Sequence, residues 1–181
     1  MDWKELLLKF EESKDWTSAI DLMQRVVSKE NASLDAYLSI NYLLMNLVVE
    51  EQYDFSKQDY YLGLLKRYFN ESYSIFLNNP EYLFFTSKIA VMAEWLVGLE
   101  MKDIDDMMRR AAELDPENIL YQYGYWLTFN SRESSEKLVA CAKQALSDQT
   151  VMEKLNSKGS LGQYVLDGLK FWIRDSYLSI H

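Results

Sequence analysis

Hydrophobic residues recur along this chain at spacings of three and four, which is the period of an amphipathic α-helix. Near the start, Trp3, Leu6 and Phe10 fall on one helical face. Ala19 and Met23 continue the same spacing after a short polar break. The pattern predicts two short helices whose backbones approach closely at Ala19. Because such a pair cannot bury its apolar stripe alone, further helices must pack against it.

The same periodicity extends through the whole sequence. It predicts helices over about 2–12, 16–29, 34–52, 57–77, 80–97, 103–114, 116–129, 134–146, 150–155 and 161–178. The third helix is apolar on more than one face, which is typical of a helix at the centre of a core. Only two prolines and six glycines occur, so the turn density of an all-β fold is missing. We therefore expect an all-α fold of eight to ten helices, stacked in antiparallel pairs within one domain over residues 1–181.

Several predicted helix ends carry capping signals. Asp2 and Glu5 have the spacing of a capping box at the first helix. Asn79–Pro80 and Asp115–Pro116 each place a capping side chain before a proline, which suits the first helical turn. Gly98 is expected to end the fifth helix.

Two segments resemble tetratricopeptide repeats. At that family's first-helix aromatic, leucine and aromatic positions, this chain has Trp3, Leu6 and Phe10. At the family's second-helix alanine position it has Ala19. Ala111–Asn118 resembles the end of a second helix and the turn between repeats. However, Leu7 stands at the family's glycine position, and the third and fourth helices exceed its standard unit. The resemblance implies a divergent stack of helix pairs that binds another protein; the alternative is an irregular helical bundle.

The charge of the chain is negative and unevenly distributed. The formal net charge is -9 and the sequence pI is about 4.7. Residues 1–120 carry 22 acidic and 12 basic side chains, a net charge of -10. Such a surface repels nucleic acid and anionic lipid and suits a basic protein partner. The alternative is a charge that serves solubility alone.

Two acidic clusters and two tyrosines are the candidate partner-binding residues. They are Glu50, Glu51 and Asp54, then Asp103, Asp105 and Asp106, and finally Tyr121 and Tyr125. Both clusters lie at predicted helix ends, where side chains can reach a partner. The seventh helix carries five aromatic residues, more than one core stripe needs, so some are candidates for exposed anchors. The alternatives are tyrosines that rim the core, and carboxylates that complement a helix dipole.

The sequence offers few residues for catalysis. The single histidine is His181, so an internal Ser-His or Cys-His pair is unavailable. The single cysteine, Cys141, lies on a helical stretch and is expected to be a buried structural thiol. Lys158–Gly162, in an expected polar loop over 156–160, lacks the spacing of a phosphate-binding loop. We therefore expect no catalytic residue, cofactor, metal site or small-molecule substrate.

The expected location is the cytoplasm. One cysteine excludes an internal disulfide and agrees with a reducing compartment. The first dozen residues are charged throughout, unlike a signal peptide. The longest apolar stretch, near 83–99, contains Lys88 and Glu94 and is not expected to span a membrane.

Size, charge and helicity together suggest two kinds of function. The first is an acidic inhibitor that neutralises a basic toxin domain, a profile similar to that of bacterial immunity proteins. The second is a tetratricopeptide-like adaptor or secretion chaperone that holds a peptide in a concave groove. An enzyme that uses paired carboxylates is a third hypothesis.

Overall fold

The computed structural model describes residues 2–29 and 32–178, except for the side chains of residues 175–178. Within these residues the fold is all-α, as predicted, with ten α-helices, two short 3-10 helices (Phe55–Lys57 and Glu94–Val97) and no strand. The α-helices are α1 (Trp3–Glu12), α2 (Trp16–Val27), α3 (Leu34–Glu50), α4 (Gln58–Phe76), α5 (Pro80–Ala90), α6 (Met101–Leu114), α7 (Ile119–Leu127), α8 (Arg132–Ser147), α9 (Gln149–Asn156) and α10 (Gly159–Leu178).

Contacts between Cα atoms divide the chain into two compact units. Unit 1 comprises Met1–Asn78 and Lys88–Met101, and unit 2 comprises Asn79–Ser87 and Lys102–His181. Helix α5 therefore contributes residues to both units. The expectation of a single domain stays a prediction, and the two units are described separately below.

In unit 1, consecutive helices pack against one another from α1 to α4. Helix α3 packs on both α2 and α4, and ten of its 17 residues are buried. The prediction of a central, almost wholly apolar helix is therefore confirmed. A side-chain hydrogen bond crosses this core: Asn41 Nδ2 donates to Ser72 Oγ over 3.0 Å and joins α3 to α4.

The contact between α1 and α2 differs in part from its prediction. Ala19 and Met23 are fully buried, as expected. Leu7 is the buried residue of α1. Trp3, Leu6 and Phe10, which the pattern placed on the apolar face, are only half-buried. Helix α1 packs on α2, so only part of its apolar stripe is covered. Asp2 precedes α1 without a side-chain capping bond, so the predicted capping box is wrong.

In unit 2, α8 packs on α7, α9 and α10, and α9 packs on α10. The core is rich in aromatic residues, and the rings of Phe84 and Tyr121 lie 5.6 Å apart. Two glycines permit close approach. A Cβ at Gly124 would lie 3.1 Å from a carbon of the Phe84 ring. A Cβ at Gly162 would lie only 1.8 Å from the Leu155 carbonyl oxygen, so the backbones of α9 and α10 touch there.

Helix α5 is shorter than predicted. It begins at Pro80, and Asn79 Oδ1 accepts the Tyr82 N–H over 3.1 Å, which confirms the predicted cap. It ends at Ala90 instead of continuing to 97. Residues 89–93 are apolar and contain no glycine or proline, so no local signal marks the break. The 3-10 helix that follows packs on α4 and ends at Gly98, whose φ is +76°.

Two other predicted boundaries are wrong. Helix α7 begins after Asn118, whose side chain accepts the Leu120 N–H over 3.2 Å. Asp115 and Pro116 belong to the preceding turn, which the Asn118 N–H closes on the Asp115 carbonyl over 3.2 Å. The expected loop over 156–160 shrinks to Ser157 and Lys158, because α9 and α10 nearly meet.

Candidate protein-docking surfaces

Four aromatic side chains form a connected row in unit 1, between the end of α3 and the first turn of α4. Ring centroids lie 5.3 Å apart for Tyr53 and Phe55, and 5.6 Å apart for both Tyr53–Tyr61 and Tyr60–Tyr61. We call these four residues the aromatic ladder. Tyr61 is buried, whereas Phe55 is 75% exposed and Tyr60 is 52% exposed. A row of large exposed rings anchored by a buried one is typical of an interaction surface.

An open groove lies beside the ladder, between α2 and the start of α4. Its volume is about 290 Å³, and its lining residues are Thr17, Ile20, Asp21, Ser56, Lys57, Tyr60 and Tyr61. Tyr60 belongs to both groove and ladder, and its hydroxyl donates to Gln24 Oε1 over 3.4 Å. This bond links Tyr60 to α2. The groove therefore combines aromatic faces with one carboxylate and one ammonium group.

The first acidic cluster, Glu50, Glu51 and Asp54, lies beside the first ladder residues in the sequence. Glu51 pairs with Lys14, with 2.9 Å between Oε2 and Nζ. Asp54 accepts the Ser56 N–H over 3.0 Å, and hydrogen bonds from the Ser56 side chain and backbone lower the pKa of Asp54. Glu50 is exposed and forms no ion pair with any residue that the structure describes. Of the three predicted residues, Glu50 is thus the one whose charge is fully available to a partner.

Sequence reasoning missed all four residues of the ladder, Tyr53, Phe55, Tyr60 and Tyr61. It also missed Asp21 in the groove and the exposed Asp59 at the start of α4. Phe55 did carry a signal, because an aromatic residue between Asp54 and Ser56 in a helix break has no helical face to bury it. Asp21 carried none, since α2 reaches the groove only through tertiary packing.

In unit 2, the structure brings Asp106 and Tyr125 into one cluster. The link runs through Arg109, whose Nη1 lies 3.5 Å from Asp106 Oδ1. Arg109 Nε donates to Thr128 Oγ1 over 3.1 Å, and its guanidinium lies 5.4 Å from the Phe129 ring centroid. The Tyr125 ring lies 5.1 Å from that of Phe129. Asp103 is exposed and Asp105 is half-buried nearby on α6.

Cationic side chains of this protein already lie over two rings of this second cluster. Lys137 lies over the Trp126 ring at 5.9 Å, as Arg109 does over Phe129. An added cation from a partner would meet this existing positive charge. The second cluster is therefore less suited than the ladder to a basic partner, although Phe129 is 40% exposed.

The structure contradicts the prediction that Tyr121 is an exposed anchor for a partner. It is 2% exposed, and burial, with the nearby charges of Glu81 and Asp115, raises its pKa. Tyr123 is also buried, and burial raises its pKa. The first turns of α7 therefore face the core, and these two tyrosines lie inside it instead of at its rim. Only the later aromatic residues of that helix reach the surface.

A partly buried ion cluster in unit 2 was not predicted. Glu81 Oε2 lies 2.8 Å from Lys154 Nζ, and Glu81 Oε1 accepts from Lys158, whose side chain is 5% exposed. Burial raises the pKa of Glu81, but the hydrogen bonds and charges of the two lysines outweigh it, so the pKa falls below 4.5. Because the partners are over 70 positions apart, sequence spacing gave no signal for this cluster.

Other candidates for chemistry are limited in the described part of the chain. Cys141 is 9% exposed, as expected of a structural thiol, and burial raises its pKa. His181 lies outside the described residues. Across residues 2–29 and 32–178, no group of three or more His, Cys, Asp or Glu is placed to hold a metal ion. In the same residues, no helix has both the length and the apolar character that crossing a membrane requires.

Comparison with known proteins adds no relative to this picture. No protein-family model, no curated protein and no solved structure matches the chain. The resemblance to tetratricopeptide repeats therefore rests on the residues that carry it. What the structure establishes is an all-α fold of packed helices.

Proposed function

We propose that this protein is a non-enzymatic binding module that docks on a basic protein partner. Its role would be that of an inhibitor that neutralises a toxin domain, as bacterial immunity proteins do. The observation that carries the proposal is the aromatic ladder of unit 1, with the carboxylates that flank it. Nuclease toxins are basic because they bind phosphate, so an acidic partner is steered to their binding surface.

The aromatic ladder supplies the anchors that slow dissociation, which charge alone does not provide. Carboxylates such as Glu50 mainly accelerate encounter, whereas aromatic anchors slow dissociation. Because Tyr61 is buried, this ring of the ladder is ordered before a partner arrives. Rings ordered in advance lose less conformational entropy on binding.

The groove supports the alternative function, an adaptor or secretion chaperone that holds a peptide. Its volume of about 290 Å³ is at the lower end of the range for small-molecule pockets. A groove of that size accommodates one or two side chains rather than a long extended segment. This comparison of volumes favours the inhibitor over the chaperone.

Identification of the partner tests the proposal. Affinity capture from the native host, followed by mass spectrometry, should recover a protein rich in lysine and arginine. Purified partner should then bind in a calorimetric titration, and its toxicity in cells should fall when this protein is co-produced. Recovery of acidic proteins only, or of a chaperoned hydrophobic segment, would contradict the inhibitor proposal.

A further inference from the structure

The aromatic ladder differs from the second aromatic cluster in one electrostatic respect. In the second cluster, Arg109 and Lys137 lie over Phe129 and Trp126. Among the described residues, no lysine or arginine lies over a ring of the ladder. The negative faces of its exposed rings are thus open to a cation from outside.

The charges around the ladder favour a cation as well. Segment 50–61 contains four acidic residues and one basic residue. The basic residue, Lys57, is exposed and lines the groove, and the four acidic residues outnumber it. Asp21 and Asp59 are exposed and form no ion pair with described residues. The surface is therefore net negative around open aromatic faces.

On this basis we propose that the ladder and the groove form a receptor for an arginine side chain of the basic partner. A guanidinium stacks on an exposed ring face of the ladder, that of Phe55 or that of Tyr60, and pairs with a neighbouring carboxylate, such as Asp21 beside Tyr60 in the groove. This inference rests on the proposed function, because it names the group by which that partner is held.

Arginine fits this surface better than lysine. Its planar guanidinium stacks on a ring and still directs several N–H donors at carboxylates in the same plane. A lysine ammonium is a more strongly hydrated point charge and cannot stack. The groove volume of about 290 Å³ accommodates a side chain of that length.

A second copy of this chain is a poorer occupant. Each copy carries a formal net charge of -9, so two copies repel one another. The acidic residues that attract arginine lie in the part of the sequence with the greatest negative excess. This charge distribution therefore favours binding of a basic partner over binding of a second copy.

The test uses the full chain and fluorescently labelled peptides of equal length, oligoarginine and oligolysine, at low salt. The variant Phe55→Leu with Tyr60→Leu keeps apolar side chains but removes two π faces. Oligoarginine affinity should fall about five- to thirtyfold, since each exposed cation–π contact is modest. The oligolysine affinity should be lower from the start and should fall less.

Two matched variants control for the loss of aromatic surface and for folding. Tyr73→Leu removes an exposed ring elsewhere on α4, and Tyr60→Phe keeps the ring while removing the hydroxyl. Both should bind oligoarginine as the wild type does, and all variants should keep the wild-type circular dichroism spectrum. Equal affinity of the double-leucine variant and the wild type would overturn the inference, as would absence of oligoarginine binding.

Failure of this inference is distinct from failure of the proposed function. If a basic partner is captured but binds the double-leucine variant unchanged, the arginine receptor is wrong and the inhibitor proposal stands. If the ladder binds oligoarginine through its rings and only acidic proteins are captured, the inhibitor proposal is wrong and the receptor stands.

Discussion

At Gly162, the absence of a side chain decides how α9 and α10 meet. The atom that a Cβ would strike is the carbonyl oxygen of Leu155, which belongs to a helix backbone and cannot rotate away. Gly63 is the opposite case, because no atom lies within 4 Å of a Cβ placed there on α4. The sequence shows both residues simply as glycines within helical segments, so only the structure separates their roles.

These two glycines give a matched prediction. Gly162→Ala should lower the free energy of unfolding by about 3 kcal/mol, the upper end for overpacking, because backbone must move. Gly63→Ala should raise it by about 1 kcal/mol, the difference in helix propensity. Urea unfolding of both variants measures these changes. Similar effects of the two substitutions would contradict the described contact between α9 and α10.

Glu81 gives a prediction about pH. Its pKa is lowered in the folded state, so its stabilising effect is complete above the ordinary value of 4.5 and is lost as pH falls through the folded pKa. At pH 7, Glu81→Gln should cost about 3 kcal/mol, since it leaves the buried Lys158 ammonium without its carboxylate. Denaturant unfolding across pH 7 to 3 should show this difference shrinking below pH 4.5.

An exposed ion pair provides the control for Glu81. The side chains of Arg132 and Glu136 are 94% and 67% exposed. Solvent screens such a pair, so Glu136→Gln should leave stability nearly unchanged at every pH. A cost for Glu81→Gln that is independent of pH would contradict the assigned ion cluster.

At the scale of elements, periodicity predicted where helices lie better than where they begin and end. The ten helical segments were predictable because each has its own apolar stripe or cap, as α3 and Asn79 illustrate. The early end of α5 was not, because no local residue marks it; the 3-10 helix over 94–97 that follows packs on α4. Burial of Leu7 instead of Leu6 likewise depends on which part of the apolar face of α1 is covered by α2.

The close approach of α1 and α2 gives a prediction at this scale. Ala19 is fully buried on α2, which packs on α1. We expect Ala19 to lie at the contact of these two helices, so Ala19→Leu should overpack that contact and cost about 1–3 kcal/mol. The melting temperature of the variant, compared with that of Ser18→Ala on the neighbouring position, measures the effect. An unchanged melting temperature for Ala19→Leu would contradict the placement of Ala19 at that contact.

At the scale of the whole molecule, charge and aromatic exposure carry the functional argument. Composition predicted the acidic character and the part of the chain that bears it, and Glu50 lies on the surface that the structure favours. The ladder was not predictable as a unit, since contacts such as Tyr53–Tyr61 join a loop to a helix. Burial of Tyr121 depends on how α7 faces the core of unit 2, which its symmetric spread of tyrosines does not indicate.

The most direct test of the account is the rate of association with the captured basic partner, measured by stopped-flow mixing at several salt concentrations. Glu50→Lys with Asp59→Lys reverses two charges beside the ladder, whereas Glu133→Lys with Glu136→Lys reverses two exposed charges on α8. The first variant should associate about tenfold more slowly, with a weaker salt dependence and a nearly unchanged dissociation rate. The second should behave nearly as the wild type. Equal slowing of both variants, or wild-type association that is insensitive to salt, would contradict docking through the acidic, aromatic surface of unit 1.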